Sequence, residues 1–221
     1  MAHFQRLVRL SLTILVVSFS AFADAELDTV VQNLQARYDK VKTMSAKFEQ
    51  SYKSVRFDED KKAAGLLEIA KPGKMRWDYS LPKGKLMVSD GETISLYDPQ
   101  DRQVIVNKQP KDRNLPAAIA FLSGQGKLKD SFHFEWIRKP TNKDQRAVLR
   151  ATPKVKEPNV KEIHFTVSVT GEPMIVGTSI LDELGGASQI TFKDIKMNPN
   201  LSPKRFSFKA PAGITVVEPK M

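Results

Sequence analysis

The sequence predicts a mainly β fold of the α+β type. The expected form is a curved antiparallel incomplete barrel of about eleven strands, with an N-terminal helix and a short mid-chain helix acting as its lid. Three observations carry this. Strand-like alternation recurs about every ten residues from Met44 onward. Turn residues separate most of these runs, so consecutive strands join as hairpins in one meandering sheet. Only two segments show helical spacing. A sheet this long must curl, and two short helices cover only part of its concave face. An antiparallel barrel left incompletely filled encloses a ligand cavity.

The chain opens with Arg6 and Arg9, followed by an apolar run over 10–19 (LSLTILVVSF). About ten residues are too few to span a bilayer. The stretch SAFADAE then offers two small-x-small cleavage sites, ending at Ala23 or Ala25. Residues 1–23 therefore read as a secretory signal, and residues 24–221 as a single soluble domain. An uncleaved anchor is the alternative, disfavoured because no second apolar run follows.

Leu27, Val30, Val31, Leu34, Tyr38 and Val41 fall at helical spacing, with Asp28, Asp39, Lys and Gln residues on the other face. The period then changes: Met44, Ala46, Phe48, Gln50 and Tyr52 alternate as in a strand. Further strands are expected near 64–70, 75–79, 85–89, 93–97, 103–107, 132–138, 146–152, 160–169, 173–182, 188–196 and 205–209. Turns fall at Pro72-Gly73, Pro82-Lys83-Gly84, Asp90-Gly91, Asp98-Pro99-Gln100-Asp101, Gly171-Glu172-Pro173 and Gly185-Gly186. Asp90-Gly91 between LMVS and ETISLY is a strong hairpin signal. The second helix is expected over 115–122 (LPAAIAFL), with Pro at its second position and Gly124 and Gly126 after it.

Composition narrows the chemistry. The chain has no cysteine, which rules out disulfides, a lipidated cysteine, thiol catalysis and cysteine metal sites. Its net charge is +10, carried by scattered Lys and Arg residues rather than runs. In an exported protein this points to anionic membrane surfaces or an acidic partner rather than nucleic acid, or else to a basic, soluble surface. Beyond the leader the histidines are His133 and His164, each set among aromatics in a strand pattern. No HExxH, GxSxG, glycine-rich phosphate loop or CxxC occurs. Asp90, Asp98 and Asp101 stand in turns, where Asp accepts from its own backbone. No catalytic constellation, metal site or cofactor is expected.

The stretch KPGKMRWDY (71–79) places Met75, Trp77 and Tyr79 on one strand face. Leu67 and Ile69 share a face with Lys71 on the strand before, and Phe48 lies on the one before that, with Tyr52 as a further candidate there. Leu86, Val88, Ile94 and Leu96 are candidate continuations. Together they form either an apolar cavity wall with one cation near its mouth, or a filled core against the first helix. Leu115, Ile119, Phe121 and Leu122 are the apolar residues of the short helix that could cover this face.

The run GLLEIAKPGKMRWDYSLPKGKLMVSDGETISLYDPQDRQV (65–104) resembles the periplasmic lipoprotein carrier family, LolA. The pattern is a glycine-led strand, a basic-Pro turn, an aromatic-x-Trp strand, VSDG, a strand and Y-[DN]-P. SAKFEQ (45–50), the Pro-started mid-chain helix and FSFKAPAGITVV (206–217) agree with it. The resemblance implies a non-enzymatic, monomeric periplasmic chaperone with an eleven-stranded incomplete barrel. Such a carrier takes acylated lipoproteins from a lipoprotein-releasing ABC transporter of the inner membrane and delivers them for outer-membrane biogenesis, with an outer-membrane lipoprotein receptor as a further candidate partner. An envelope sensor of similar shape, without a delivery role, is the alternative. The strand count and the resemblance favour the cavity over the filled core, with a wall of Phe48, Leu67, Ile69, Met75, Trp77, Tyr79, Leu86, Ile94 and Leu96. Lys71 stands where the family usually has an arginine that tethers the closed lid. Lysine binds as a point charge instead of a bidentate fork. Met75 stands where the family has an aromatic, and its flexible thioether adapts to varied apolar guests.

Overall fold

The computed structural model describes residues 19–53, 60–108, 121–124, 126–158 and 160–218, with side chains from Glu26 onward. Its elements are α1 (Phe19–Lys40), β1 (Thr43–Lys53), β2 (Asp60–Ala70), β3 (Lys74–Leu81), β4 (Leu86–Asp90), β5 (Thr93–Asp98), β6 (Gln103–Lys108), α2 (Leu128–Ser131), β7 (Phe132–Arg138), β8 (Arg146–Pro153), β9 (Glu162–Ser168), β10 (Met174–Leu181), β11 (Ala187–Met197) and β12 (Thr215–Val217). A single 3-10 turn, Pro203–Phe206, precedes β12.

The twelve strands form one open, curved sheet in the order β12-β6-β5-β4-β3-β2-β1-β11-β10-β9-β8-β7. Two antiparallel meanders, β1 to β6 and β7 to β11, meet where β1 pairs with β11. The hairpins turn where Gly, Pro and Asp permit. Asp90 Oδ1 accepts the amides of Glu92 and Thr93 at 2.9 and 2.8 Å, and Asp98 Oδ1 accepts that of Gln100 at 3.0 Å. These carboxylates serve their own turns, as expected of Asp there.

Helix α1 lays Leu27, Val31, Leu34 and Tyr38 on the concave face of the sheet, and Val41 just beyond its end joins the same core. This is the face that the i, i+3, i+4 spacing predicts. The helix starts at Phe19, upstream of the expected stretch and inside the segment read as a leader. Arg37 and Lys40 lie in its last turn, where positive charge complements the helix dipole.

The C-terminal region corrects the sequence reading. No strand forms over 205–209. With Pro203 at its start the chain makes the 3-10 turn, and Phe206 and Phe208 pack on the convex face instead. The Phe208 and Tyr97 ring centroids are 5.8 Å apart. The period-two apolar pattern is thus satisfied by docking on a sheet rather than by joining one. β12, which the sequence reading did not anticipate, pairs in parallel with β6 over three residues.

An ion pair with a buried carboxylate anchors this turn. Arg205 donates through Nε and Nη2 to Glu68 Oε2 at 2.8 and 2.6 Å, and Arg76 donates to Asp78 at 3.0 Å and to the Arg205 carbonyl at 3.3 Å. Glu68 is only 7% exposed. Glu68→Ala is expected to cost about 2 kcal/mol, the range for lost charge-assisted hydrogen bonds. The half-exposed Arg205 can be rehydrated, which keeps the cost below that of splitting a fully buried pair. A urea midpoint equal to wild type would show that the pair contributes nothing.

Candidate functional site

Strand register fixes which side chains share the concave face. Phe48, Gly65 and Tyr79 stand opposite one another across β1, β2 and β3, as do Ala46, Leu67 and Trp77, then Met44, Ile69 and Met75. Met87 and Leu96 extend the Trp77 row, and Ser89 and Ile94 the Met75 row. The structure therefore brings Phe48, Leu67, Ile69, Met75, Trp77, Tyr79, Ile94 and Leu96 onto one face. It does not bring Leu86. Leu86 pairs with Asp78 and Tyr97, so it points to the convex face, and Val88, two residues on, lies there beside Phe206. The β4 parity is shifted by one because Met87, not Leu86, meets Trp77. A shift of one residue exchanges the two faces of a strand.

The wall is covered over the described residues. Leu67 is 0% and Met75 2% exposed, and Phe48, Ile69 and Trp77 are likewise buried. Val31, Leu34 and Tyr38 of α1 and the helical pair Phe121 and Leu122 complete one apolar cluster with them. Phe48 holds its aromatic neighbours edge-on, with ring centroids 4.9 Å from Trp77 and 5.1 Å from Tyr79. The vacant concave face expected from the helix count is thus occupied here by the chain's own side chains. Leu115 and Ile119 lie outside the described residues.

The β7–β11 half of the face escaped the sequence reading as a site. Phe132, Leu149, Ile163, Phe165, Ile175 and Phe192 continue the same core, with Phe132 and Phe165 6.0 Å apart. The signal was present in the alternation of EIHFTVS and RAVLRATP. His164 sits on the other face of β9, 3.0 Å from Glu162, and His133 is exposed.

Lys71 lies where the cover meets the wall. Its ammonium donates to the Tyr38 carbonyl in the last turn of α1 and stands 5.9 Å from the Tyr38 ring centroid. That ring is 5.0 Å from Phe121. Burial lowers the Lys71 pKa below its usual 10.5, and the nearby Asp39 partly offsets this. Burial pushes the Tyr38 phenol up to about 12, so it stays neutral in the physiological range. The following turn is tied to the same segment, since the Gly73 N–H donates to the Ser123 carbonyl at 3.1 Å. The Gly73 carbonyl accepts from Ser89 Oγ at 3.0 Å.

The rest of α1 is fastened to the β7–β10 side. Arg37 donates to the Glu172 carbonyl in the β9–β10 turn. Gln35 Oε1 accepts the Leu128 amide at 2.7 Å. Lys129 pairs with Asp28 at 3.1 Å and Lys139 with Glu26 at 2.8 Å. Among the described residues no group of three or more His, Asp or Glu could hold a metal ion, and no helix is long and apolar enough to cross a membrane.

An open, curved antiparallel sheet with an apolar concave face under helices is a fold for sequestering hydrophobic groups. A family model described as outer membrane lipoprotein carrier protein LolA matches residues 39–209, and the chain belongs to this family. An outer-membrane lipoprotein carrier protein of Chromobacterium violaceum is 31% identical over 206 residues, covering 93% of this chain and 95% of the relative. One of Legionella pneumophila (strain Paris) is 30% identical over 190 residues, covering 86% and 90%. Among solved structures, an uncharacterized conserved protein from Thermus thermophilus has the same fold, with a TM-score of 0.54 at 12% identity over 88% of this chain and 99% of that one. Members of the family are binding chaperones rather than enzymes.

Proposed function

We propose that this chain is a periplasmic carrier that shelters the acyl chains of lipoproteins against its concave face. It would take them from an inner-membrane ABC transporter of the lipoprotein-releasing type and pass them to the outer membrane, directly or through a receptor there. Residues 1–23 would direct its export and be cleaved from the mature protein. The observation that carries the reading is the Phe48–Leu67–Ile69–Met75–Trp77 wall, whose cover is held at its β2 side by the contacts of Lys71 and Gly73.

The energetics favour exchange of the cover for a guest. Each buried methylene contributes roughly 0.8 kcal/mol, so ten give about 8 kcal/mol. Displacing Phe121 and Leu122 from the wall offsets part of that gain. The two states are then near enough in free energy for cargo to be both held and released. In the test, inner-membrane vesicles carrying a radiolabelled palmitoylated lipoprotein and the transporter are incubated with ATP and the mature protein. A soluble complex of carrier and lipoprotein is expected. If label stays in the membrane while another family carrier extracts it, the reading fails. Lipoproteins sorted normally in depleted cells would favour an envelope sensor instead.

A further inference from the structure

We propose that the end of the concave face beyond α1 is a binding site for anionic single-chain amphiphiles, with a hydrocarbon tail against the wall and the head held by lysines. Helix α1 runs from the β7–β8 connection, where Glu26 meets Lys139, to the end of β2, where Tyr38 meets Lys71. The opposite ends of β1, β2 and β3 lie beyond it. Burial falls along each of these strands in that direction, from buried Phe48 to exposed Tyr52 and from buried Leu67 to exposed Lys61.

A cleft of about 550 Å³ occupies this end, lined by Tyr52, Ala63, Tyr79, Leu81, Pro82 and the stem of Gln50, with Lys61, Lys62 and Lys85 beside them. Leu81 is 51% and Tyr52 37% exposed, so the cleft presents adjoining apolar surface beside the lysines. Tyr79 belongs both to this cleft and, through its edge contact with Phe48, to the apolar wall. Among the described residues the floor therefore runs without a break from the cleft to the buried face.

An apolar floor with cations at its rim matches one ligand chemistry: a hydrocarbon chain ending in a phosphate or carboxylate. The chain is solvated by Tyr52, Tyr79 and Leu81, while the head meets ammonium groups that remain in contact with water. Asp98 holds Lys85 at 3.4 Å, a surface pair weak enough to be exchanged for a bound anion. This ligand class goes beyond the carrier reading, because the acyl groups of lipoproteins are uncharged esters and amides.

The test uses the mature protein and calorimetric titration with 1-palmitoyl-lysophosphatidylglycerol and its choline analogue, both below their micelle concentrations. The anionic lipid is expected to bind at least about tenfold tighter at low salt, an advantage that shrinks at high salt. The Lys61→Glu, Lys62→Glu double variant should lose that preference. Leu81→Asp should weaken both lipids by about tenfold, and these exposed positions leave the melting temperature in place. Equal affinity for the two lipids, or variants that bind as wild type does, would overturn the proposal. So would binding confined to phosphatidylglycerol vesicles, which would make the occupant a membrane surface. Lipoprotein extraction by the double variant is a separate readout, and its loss or persistence bears only on the carrier reading.

Discussion

Gly65→Ala is expected to destabilise the protein by about 3 kcal/mol or more, lowering the urea midpoint far beyond the effect of any surface change. Two opposed effects meet at this position. A glycine within a strand costs roughly 0.5–1 kcal/mol in backbone entropy relative to alanine, so the substitution should help in an unencumbered strand. Here a Cβ would lie 2.1 Å from the Asp78 carbonyl oxygen and 2.9 Å from Cε1 of Phe48. The first neighbour is backbone of the adjacent strand and cannot turn aside. β2 and β3 would have to separate at the irregularity between Ala64 and Gly65, in the middle of the twelve-stranded order. The Phe48 ring, which covers the glycine and contacts Trp77 and Tyr79, would be pushed from the wall. The steric loss outweighs the entropic gain several-fold. A variant as stable as wild type would mean that β2 and β3 approach less closely than this.

Most of the fold was legible in the sequence because its periods are clean. Met75, Trp77 and Tyr79 alternate, Asp90-Gly91 turns the chain, and the α1 heptad-like spacing gives one apolar stripe. Failures occurred where a local pattern has two tertiary solutions. Leu86-Met87-Val88 is apolar at every position, so alternation could not say which residue faces Trp77, and only pairing with β3 decides it. Phe206 and Phe208 alternate as strand residues do, yet they dock on the convex face of the sheet without joining it. The cation at Lys71 was found from its place before Pro72. Its acceptor, the carbonyl of Tyr38, was not, because a backbone group has no signature in sequence. The cleft at Tyr52 and Leu81 was missed for a related reason: it is assembled from the ends of three strands and the β3–β4 turn.

Lys71→Leu is expected to shift the resting protein toward an uncovered state by about tenfold and to slow the release of bound lipoprotein correspondingly. A charge-assisted hydrogen bond contributes about 1.5–3 kcal/mol. Two observations reduce this value. Burial disfavours the Lys71 charge, so leucine recovers part of the desolvation cost. The Tyr38 carbonyl also accepts the Val41 amide at 3.1 Å, so it is not left orphaned. About 1.4 kcal/mol remains, a factor of ten. In the proposed carrier cycle the closed cover competes with cargo, so weakening it would strengthen retention. Gly124→Ala reaches the same contact from the other side. Gly124 has φ of +79°, and a Cβ there would lie 2.5 Å from Cδ of Lys71. The substitution therefore strains the backbone by about 1 kcal/mol and displaces the lysine stem. If both act on one latch, the double variant releases cargo little more slowly than the slower single variant, since neighbours sharing a contact are not additive. Release rates measured by transfer of labelled lipoprotein to acceptor membranes would decide it. Wild-type release by Lys71→Leu, or effects that simply multiply in the double variant, would remove the latch role from Lys71.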